Sequence, residues 1–173
     1  DIIESYNSYI AAHPNDITVR IEACKFLTRA MDNEVVEFDS VEALFNIIRD
    51  ELVEKFPDHY EVILFRSTDV ETDSAIALLE EYLRKYPDIV SKSSYWDFFE
   101  QLARLYSYQE QPYNSIHYGV IAERLNDTLD ITMLLAEQCA NAGDKKTAIA
   151  YLKKFKDRKR TYSEYLDRGE LLF

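Results

Sequence analysis

The sequence predicts an all-α fold of antiparallel helix pairs, and three observations support this prediction. Apolar residues recur at spacings of three and four along nearly the whole 173-residue chain, and no convincing stretch alternates strictly between apolar and polar residues. Three Gly and four Pro residues leave little material for the many turns of a β architecture. The connections between the apolar segments are short, which favours antiparallel packing of neighbouring helices.

The apolar periodicity predicts ten helices. Their predicted ranges are 2–12, 17–30, 41–56, 60–67, 73–86, 94–107, 114–124, 130–142, 145–154 and 163–171. Pro14, Pro57 and Pro87 each stand where a helix must end, and each is followed by Asn or Asp, which can cap the next helix. Asp144, which follows Gly143, can accept hydrogen bonds from the exposed amides of the ninth predicted helix.

The composition is that of a folded protein rather than a disordered one, since 47% of the residues are hydrophobic and 30% are charged. The length fits one domain, so we expect a single helical repeat domain over residues 1–173. The chain begins without Met and inside a predicted helix. We therefore expect it to be a segment of a longer protein.

The sequence favours a soluble, cytoplasmic protein. It has no run of about 18 apolar residues that could span a bilayer, and its first residues lack the basic start of a signal peptide. Cys24 and Cys139 lie within apolar helical patterns, too far apart to indicate a disulfide framework or a zinc motif. A reducing compartment is the simplest one for such a chain.

The formal net charge of -12 argues against nucleic-acid or anionic-membrane partners, because those surfaces repel carboxylates. The charge is also uneven. Ten acidic residues lie between Asp32 and Glu61, whereas six of the eight residues from Lys153 to Arg160 are Lys or Arg. Two interpretations stay open. Either these are solvated faces, with the cations placed at the C-terminus of a helix, or the molecule docks a basic partner at its acidic end and an acidic partner at its basic end.

Two segments between Trp96 and Phe155 superpose without a gap when they are shifted by 33 residues. The matched positions are Leu102-Ala103 with Leu135-Ala136, Tyr106 with Cys139, Ser115-Ile116 with Ala148-Ile149, and Ala122 with Phe155. Small residues alternate with large ones, as a close crossing of two helices requires. The second helix of this pair recurs at 75–87, and the predicted helix 2–12 looks like a fourth half-unit.

The stretch Ala-Gly-Asp-Lys-Lys-Thr-Ala-Ile-Ala-Tyr-Leu at 142–152 resembles the tetratricopeptide repeat, a helix pair of about 34 residues. The resemblance implies antiparallel helix pairs stacked in a right-handed α-α superhelix. Over 73–173 it implies clear repeats that end in a capping helix at 163–171. Over 1–72 the intervals between prolines differ from the repeat length, so this part is interpreted as degenerate repeats or another αα-hairpin.

No residue pattern indicates a catalytic centre, a metal site or a cofactor site. His13, His59 and His117 lie far apart, without the i, i+4 spacing that places two ligands on one helix face. The three glycines form no phosphate-binding loop, and no Ser or Cys has a recognisable nucleophile context. The sequence therefore predicts a protein that is not an enzyme and uses neither a metal nor a cofactor.

The resemblance implies a binding module whose concave face is lined by the first helix of each pair. The 33-residue shift places Asp97 on Asp130 and Glu100 on Met133, so their helices should stand side by side. The residues predicted to line the partner-binding groove are Asp97, Glu100, Arg104, Tyr108, Asp130, Met133, Glu137 and Asn141. Carboxylates beside Met and Tyr predict a protein or peptide partner with basic and apolar residues.

The family includes adaptors that clamp acidic chaperone peptides with Lys and Asn, and the acidic groove predicted here departs from that pattern. One alternative function is an accessory helical domain of a larger enzyme, for example a transferase, that positions a substrate or mediates assembly. A second is the ligand-sensing domain of a regulator. We expect the chain to be a monomer or a weak homodimer.

Overall fold

The computed structural model describes residues 2–32 and 38–167. All secondary structure in these two stretches is helical. The nine helices that they form are α1 (Ile2–Ala12), α2 (Ile17–Asp32), α3 (Phe38–Lys55), α4 (Tyr60–Ser67), α5 (Thr72–Lys85), α6 (Trp96–Tyr108), α7 (Pro112–Leu125), α8 (Thr132–Asn141) and α9 (Lys145–Asp167). Two short 3₁₀ turns, Pro87–Ser91 and Ser93–Tyr95, connect α5 to α6. No helix within these stretches is both long and apolar enough to cross a membrane.

The chain divides into two compact units, Asp1–Val70 with α1 to α4 and Glu71–Phe173 with α5 to α9. In the first unit, α2 packs against α1, α3 and α4. The core of this unit consists of Ile21, Ala23, Cys24, Leu27, Val41, Phe45, Ile48, Leu52, Val62 and Phe65. Within each helix most of these residues recur at spacings of three and four, so the periodicity that predicts the helices also selects their buried face.

A buried arginine fastens the connection between α1 and α2 to α3. Arg20 is only 3% exposed, and its guanidinium donates to Glu51 Oε2 at 2.9 Å and to the Pro14 carbonyl at 3.1 Å. Glu51 also accepts a hydrogen bond from Lys55, and Lys55 and Arg20 together hold the pKa of this carboxyl below its usual value. Removing Glu51 would leave a buried cation without its counter-charge, which is costly.

The second unit is centred on α6 and α7. α6 packs along α7 and against α5, α7 also packs against α8, and α8 packs along α9. α6 begins at Trp96, the only tryptophan of the chain. The inner face of α6 carries six buried residues: Phe98, Phe99, Leu102, Ala103, Leu105 and Tyr106.

Small residues bring α6 and α7 close together. The fully buried Ser115 of α7 lies against Ala103 of α6, and further along both helices the ring of Tyr118 stacks on Phe99 with centroids 6.3 Å apart. From the first contact to the second, the residue numbers rise along α7 and fall along α6, so the two helices are antiparallel. A Cβ atom placed on Gly119 would lie 3.7 Å from Ala103 Cβ, which shows how near the backbones come.

The same turn closes α6 and α8, 33 residues apart. After α8, Gly143 N–H donates to Ala140 O and Asp144 N–H donates to Cys139 O, with Gly143 at a φ of 83°. After α6, the corresponding donors are Glu110 N–H and Gln111 N–H, and Glu110 has a φ of 56°. The acceptors there are Ser107 O and Tyr106 O. Both turns are Schellman motifs, in which a left-handed residue ends the helix.

Asp144 immediately precedes α9 and caps its N-terminus. Its Oδ1 accepts the amide N–H of Thr147 at 3.0 Å, and hydrogen bonds from Thr147 lower the pKa of this carboxyl. The predicted role of Asp144 as a helix cap is therefore confirmed.

The prediction of two helices at 145–154 and 163–171 was wrong. α9 runs without a break from Lys145 to Asp167, because this stretch contains neither Gly nor Pro and so nothing ends the helix after residue 154. Residues 155–162, expected to be a connection, are helical. Residues 168–171 of the predicted capping helix lie outside the described residues.

Candidate partner-binding surface

Seven of the eight residues predicted to line a groove lie on α6 and α8. Asp97, Glu100, Arg104 and Tyr108 follow one another along α6 at spacings of three and four, and all are at least partly exposed. Met133, Glu137 and Asn141 form a similar exposed stripe on α8. The spacing in the sequence therefore correctly predicted solvent-accessible residues on both helices.

Asp130 does not lie on α8, although the sequence predicted a helix from residue 130. α8 begins at Thr132, and Asp130 is an exposed residue of the preceding connection. The shift that places Asp130 on Asp97 therefore relates a connecting residue to one in the first turn of α6. In that turn, Asp97 Oδ1 accepts the Phe98 amide N–H at 2.9 Å.

Glu100 and Arg104 are brought together as an ion pair on α6. The Arg104 guanidinium donates twice to Glu100 Oε1, at 2.6 Å and 3.0 Å. The side chain of Glu100 is 18% exposed and that of Arg104 is 46% exposed. This pair is locally neutral, so the surface offers less net negative charge than its four carboxylates suggest. Its contribution to stability is at most about 1 kcal/mol, as for other exposed i, i+4 pairs.

A partly buried side-chain hydrogen bond joins α6 to α8 beneath these stripes. Gln138 is 3% exposed, and its Nε2 donates to Ser107 Oγ at 2.9 Å. Ala103 of α6 and Leu135 of α8 also share one apolar cluster, with Ile131. The two exposed stripes therefore belong to helices that are linked through their buried sides.

The apolar groups of this surface are Tyr108 and Met133. Tyr108 is 74% exposed and Met133 is 43% exposed. Glu137, one helical turn beyond Met133, makes no hydrogen bond or ion pair with any other residue that the structure describes. The surface thus combines an aromatic ring, a polarizable thioether and an available carboxylate.

Below α6, Glu80 of α5 accepts hydrogen bonds from two stacked tyrosines, a contact that the sequence did not predict. Tyr106 and Tyr118 stack with ring centroids 5.6 Å apart, and both hydroxyl groups donate to Glu80 Oε1, Tyr118 at 3.3 Å. Burial, and after it the Glu80 carboxylate, raises the pKa of Tyr118 to about 12 and that of Tyr106 further still. This cluster holds α5, α6 and α7 together.

The described residues contain no group of three or more His, Cys, Asp and Glu side chains that could hold a metal ion. Cys24 and Cys139 are buried free thiols. Burial raises the pKa of the Cys24 thiol to about 12 and also raises that of Cys139. Both are therefore protonated at neutral pH, and a protonated thiol is a poor nucleophile.

The chain matches no family model, no curated protein and no solved structure. Its function has to be argued from its own geometry and surface chemistry.

Proposed function

We propose that the second unit is a tetratricopeptide-like module that binds a segment of a partner protein along α6 and α8. α6 with α7, and α8 with α9, would be two successive repeats, and the protein would act as a scaffold in the cytoplasm. The partner segment would carry Lys or Arg beside apolar anchors. The observation that carries this proposal is the exposure of Tyr108 and Met133 on two helices joined by the Gln138–Ser107 hydrogen bond.

The repeat part of the proposal is supported by contacts that recur 33 residues apart. The turns at Glu110 and Gly143 use the same two backbone hydrogen bonds. Ser115 and Ala148, small residues that the shift superposes, are both buried. Such repetition is expected where each helix pair packs on the next in the same way.

Two contacts relate α7 to α9, one to the connection just before α9 and one to the middle of that helix. Tyr113, at the start of α7, donates to the Ala142 carbonyl just before α9, and Lys154 of α9 pairs with Glu123 of α7 at 2.5 Å. α7 and α9 therefore run in the same direction. Second helices that run in the same direction are what a stacked repeat produces.

The chemistry of the exposed stripes supports a basic, partly apolar segment. Tyr108 supplies a large apolar area with few rotatable bonds to order, and the flexible Met133 side chain adapts to irregular partners. Glu137, Asp97 and Asp130 favour cations near these anchors. Because the charges are exposed, binding should weaken as salt rises and the Debye length shortens from about 10 Å at 0.1 M.

The experiment compares matched pairs of bait proteins in a pull-down. Met133→Asp is matched by Val120→Asp, since both side chains are 43% exposed, and Tyr108→Ala is matched by Tyr113→Ala, since both are 74% exposed. Val120 and Tyr113 lie on α7 and belong to neither stripe. Partners captured by the parent should be lost from the Met133 and Tyr108 variants and retained by the two α7 variants.

Peptide mapping of each captured partner should then give a segment with Lys or Arg next to apolar residues. Circular dichroism of all four variants checks that their helical content is unchanged. If the Met133 and Tyr108 variants capture the same partners as the parent, the partner uses another face and the proposal is wrong.

A further inference from the structure

The first unit presents an exposed acidic face on α3. Ala43, Ile47, Asp50 and Glu54 are all exposed and follow one another at spacings of four, three and four, so they line one side of the helix. Ile47 lies at the centre of this side and is 58% exposed. The α3 face, as we call these four residues, therefore places Ile47 beside two carboxylates, of which Asp50 pairs with Arg49.

The second unit presents an exposed face of the opposite charge on α9. Ile149 is 52% exposed and Leu152 is 46% exposed. Four exposed lysines surround these two residues on the same side of the helix: Lys145, Lys146, Lys153 and Lys156. Lys154, on the other side, is engaged by Glu123. These six residues form the α9 face, in which two apolar side chains lie among cations.

The two faces match in length and in charge. Ala43 to Glu54 and Lys145 to Lys156 each span 11 steps of a helix, or about 16 Å at 1.5 Å per residue. The acidic bias extends beyond the α3 face, since residues 1–70 contain 15 acidic and six basic residues. Residues 145–160 contain eight basic residues and one acidic residue.

We infer that the α3 face of one copy of this chain docks on the α9 face of a second copy. Ile47 would pack between Ile149 and Leu152, and Asp50 and Glu54 would lie beside the lysines that flank them. Opposite charges around an apolar centre are the means by which paired helices select a partner and a register. This inference does not depend on the partner groove of α6 and α8.

The two faces differ, so the contact is heterologous and leaves one α3 face and one α9 face open at the ends of every assembly. Such head-to-tail contacts grow into chains unless the rotation closes a ring. A contact of one helix face on another is at the low end of interface size, so its affinity is weak. The weight-average mass of the protein should rise steadily with concentration and should not stop at the dimer.

The experiment uses two variants that each remove one face. Ile47→Lys places a cation at the centre of the α3 face, and the double variant Ile149→Gln with Leu152→Gln removes the apolar centre of the α9 face. All three side chains are exposed in the monomer, so the helices should persist. Each variant alone should remain a monomer in sedimentation equilibrium across the concentrations at which the parent associates.

An equimolar mixture of the two variants supplies the decisive result. One retains an intact α9 face and the other an intact α3 face, so the mixture should form a heterodimer and its mass should stop at twice that of the monomer. Val120→Gln on α7, a matched change at an exposed apolar residue, should associate like the parent. Met133→Asp, which should lose partner binding along α6 and α8, should still associate like the parent. Self-association and partner binding can therefore be tested independently.

Three results would overturn the inference. The first is a parent protein that stays monomeric at the highest concentration. The second is self-association that persists in either single-face variant, because each lacks one of the two required surfaces. The third is a mixture that stays monomeric, which would show that the two faces do not bind each other.

Discussion

The Ser115 hydroxyl donates a 2.7 Å hydrogen bond to the carbonyl oxygen of Ala103, across the contact between α7 and α6, and both residues are fully buried. This bond satisfies a hydroxyl group that would otherwise be desolvated. A small residue is needed here because the two helix backbones come close together.

Ser115→Ala keeps this close approach and removes the hydrogen bond. The free energy of unfolding should fall by about 1 kcal/mol, the usual net value of such a bond. Urea denaturation followed by circular dichroism measures the change. Ser74→Ala, at an exposed position of α5, is the control and should leave stability unchanged. Equal midpoints for both variants would show that the Ser115 bond contributes nothing.

Ala136→Leu and Ala148→Leu should each destabilise the protein by about 1 to 3 kcal/mol, because extra methylene groups would be forced into a packed contact. Ala136 is 3% exposed and Ala148 is 5% exposed. The matched controls are Ala140→Leu on α8 and Ala150→Leu on α9, since both alanines are exposed. Thermal melts of the four variants test the prediction, which fails if the buried and exposed substitutions behave alike.

Glu110→Gly should increase stability. Glu110 holds a left-handed φ of 56°, which costs a residue with a Cβ atom about 1 to 2 kcal/mol. Glycine adopts this φ without strain but loses more backbone entropy on folding, so the expected net gain is about 0.5 to 1 kcal/mol. Urea denaturation measures it.

Gly143→Ala, at the equivalent turn, is the reciprocal test of the same argument. It should lower stability by about 1 kcal/mol, since Gly143 has a φ of 83°. A Cβ atom there meets nothing within 4 Å, so strain is the only cause. Opposite signs at these two positions would support the equivalence of the turns, and equal signs would refute it.

Gly119 and Leu135 should be energetically coupled. A Cβ atom added at Gly119 would lie 2.8 Å from Leu135 Cδ2, and Leu135 is fully buried. Gly119→Ala should therefore destabilise the parent, although alanine in a helix interior is usually favoured by about 1 kcal/mol. In a Leu135→Ala background the clash is absent, so the same substitution should become stabilising. A double-mutant cycle that shows no coupling would contradict this packing.

Stability should decline as the pH rises from about 10 toward 12. The folded-state pKa of Tyr118, about 12, exceeds the usual value near 10. Folding therefore favours the protonated hydroxyl, and this contribution is complete below pH 10 and is lost as the pH approaches 12. Tyr118→Phe should lose less stability over this interval than the parent.

Urea denaturation at a series of alkaline pH values measures the difference between the parent and Tyr118→Phe. Tyr108→Phe is the control, because Tyr108 is 74% exposed and should follow the parent. Lysine side chains titrate in the same interval, but they are common to all three proteins and cancel in the comparison. Parallel curves for the parent and Tyr118→Phe would mean that Tyr118 ionises as readily in the folded protein as in the unfolded one.

Local signals in the sequence predicted most of the helices, and their errors have local causes. The first and fourth helices have the predicted bounds, since Pro14 and Pro57 mark the breaks beside them. The expected gap after residue 154 does not exist, because no Gly or Pro ends the helix there. The helix predicted from residue 130 begins at Thr132, so Asp130 lies in the preceding connection.

Exposure was predictable from spacing, whereas contacts between distant residues were not. Tyr108 was predicted to line a groove open to a partner, and it is 74% exposed. The shared contact of Tyr106 and Tyr118 with Glu80 links three helices, and no periodicity indicates a partner 38 residues away. The left-handed Glu110 was missed as well, because Glu carries none of the turn signal that Gly143 does.

The position of Trp96 gives the protein an optical reporter that sees only one of its two units. This single indole lies at the first residue of α6, within Glu71–Phe173. Its fluorescence therefore follows the unfolding of that unit alone, while far-ultraviolet circular dichroism sums both. If the units melt independently, the two signals will give different midpoints, and the two-state assumption will have to be applied to each unit separately.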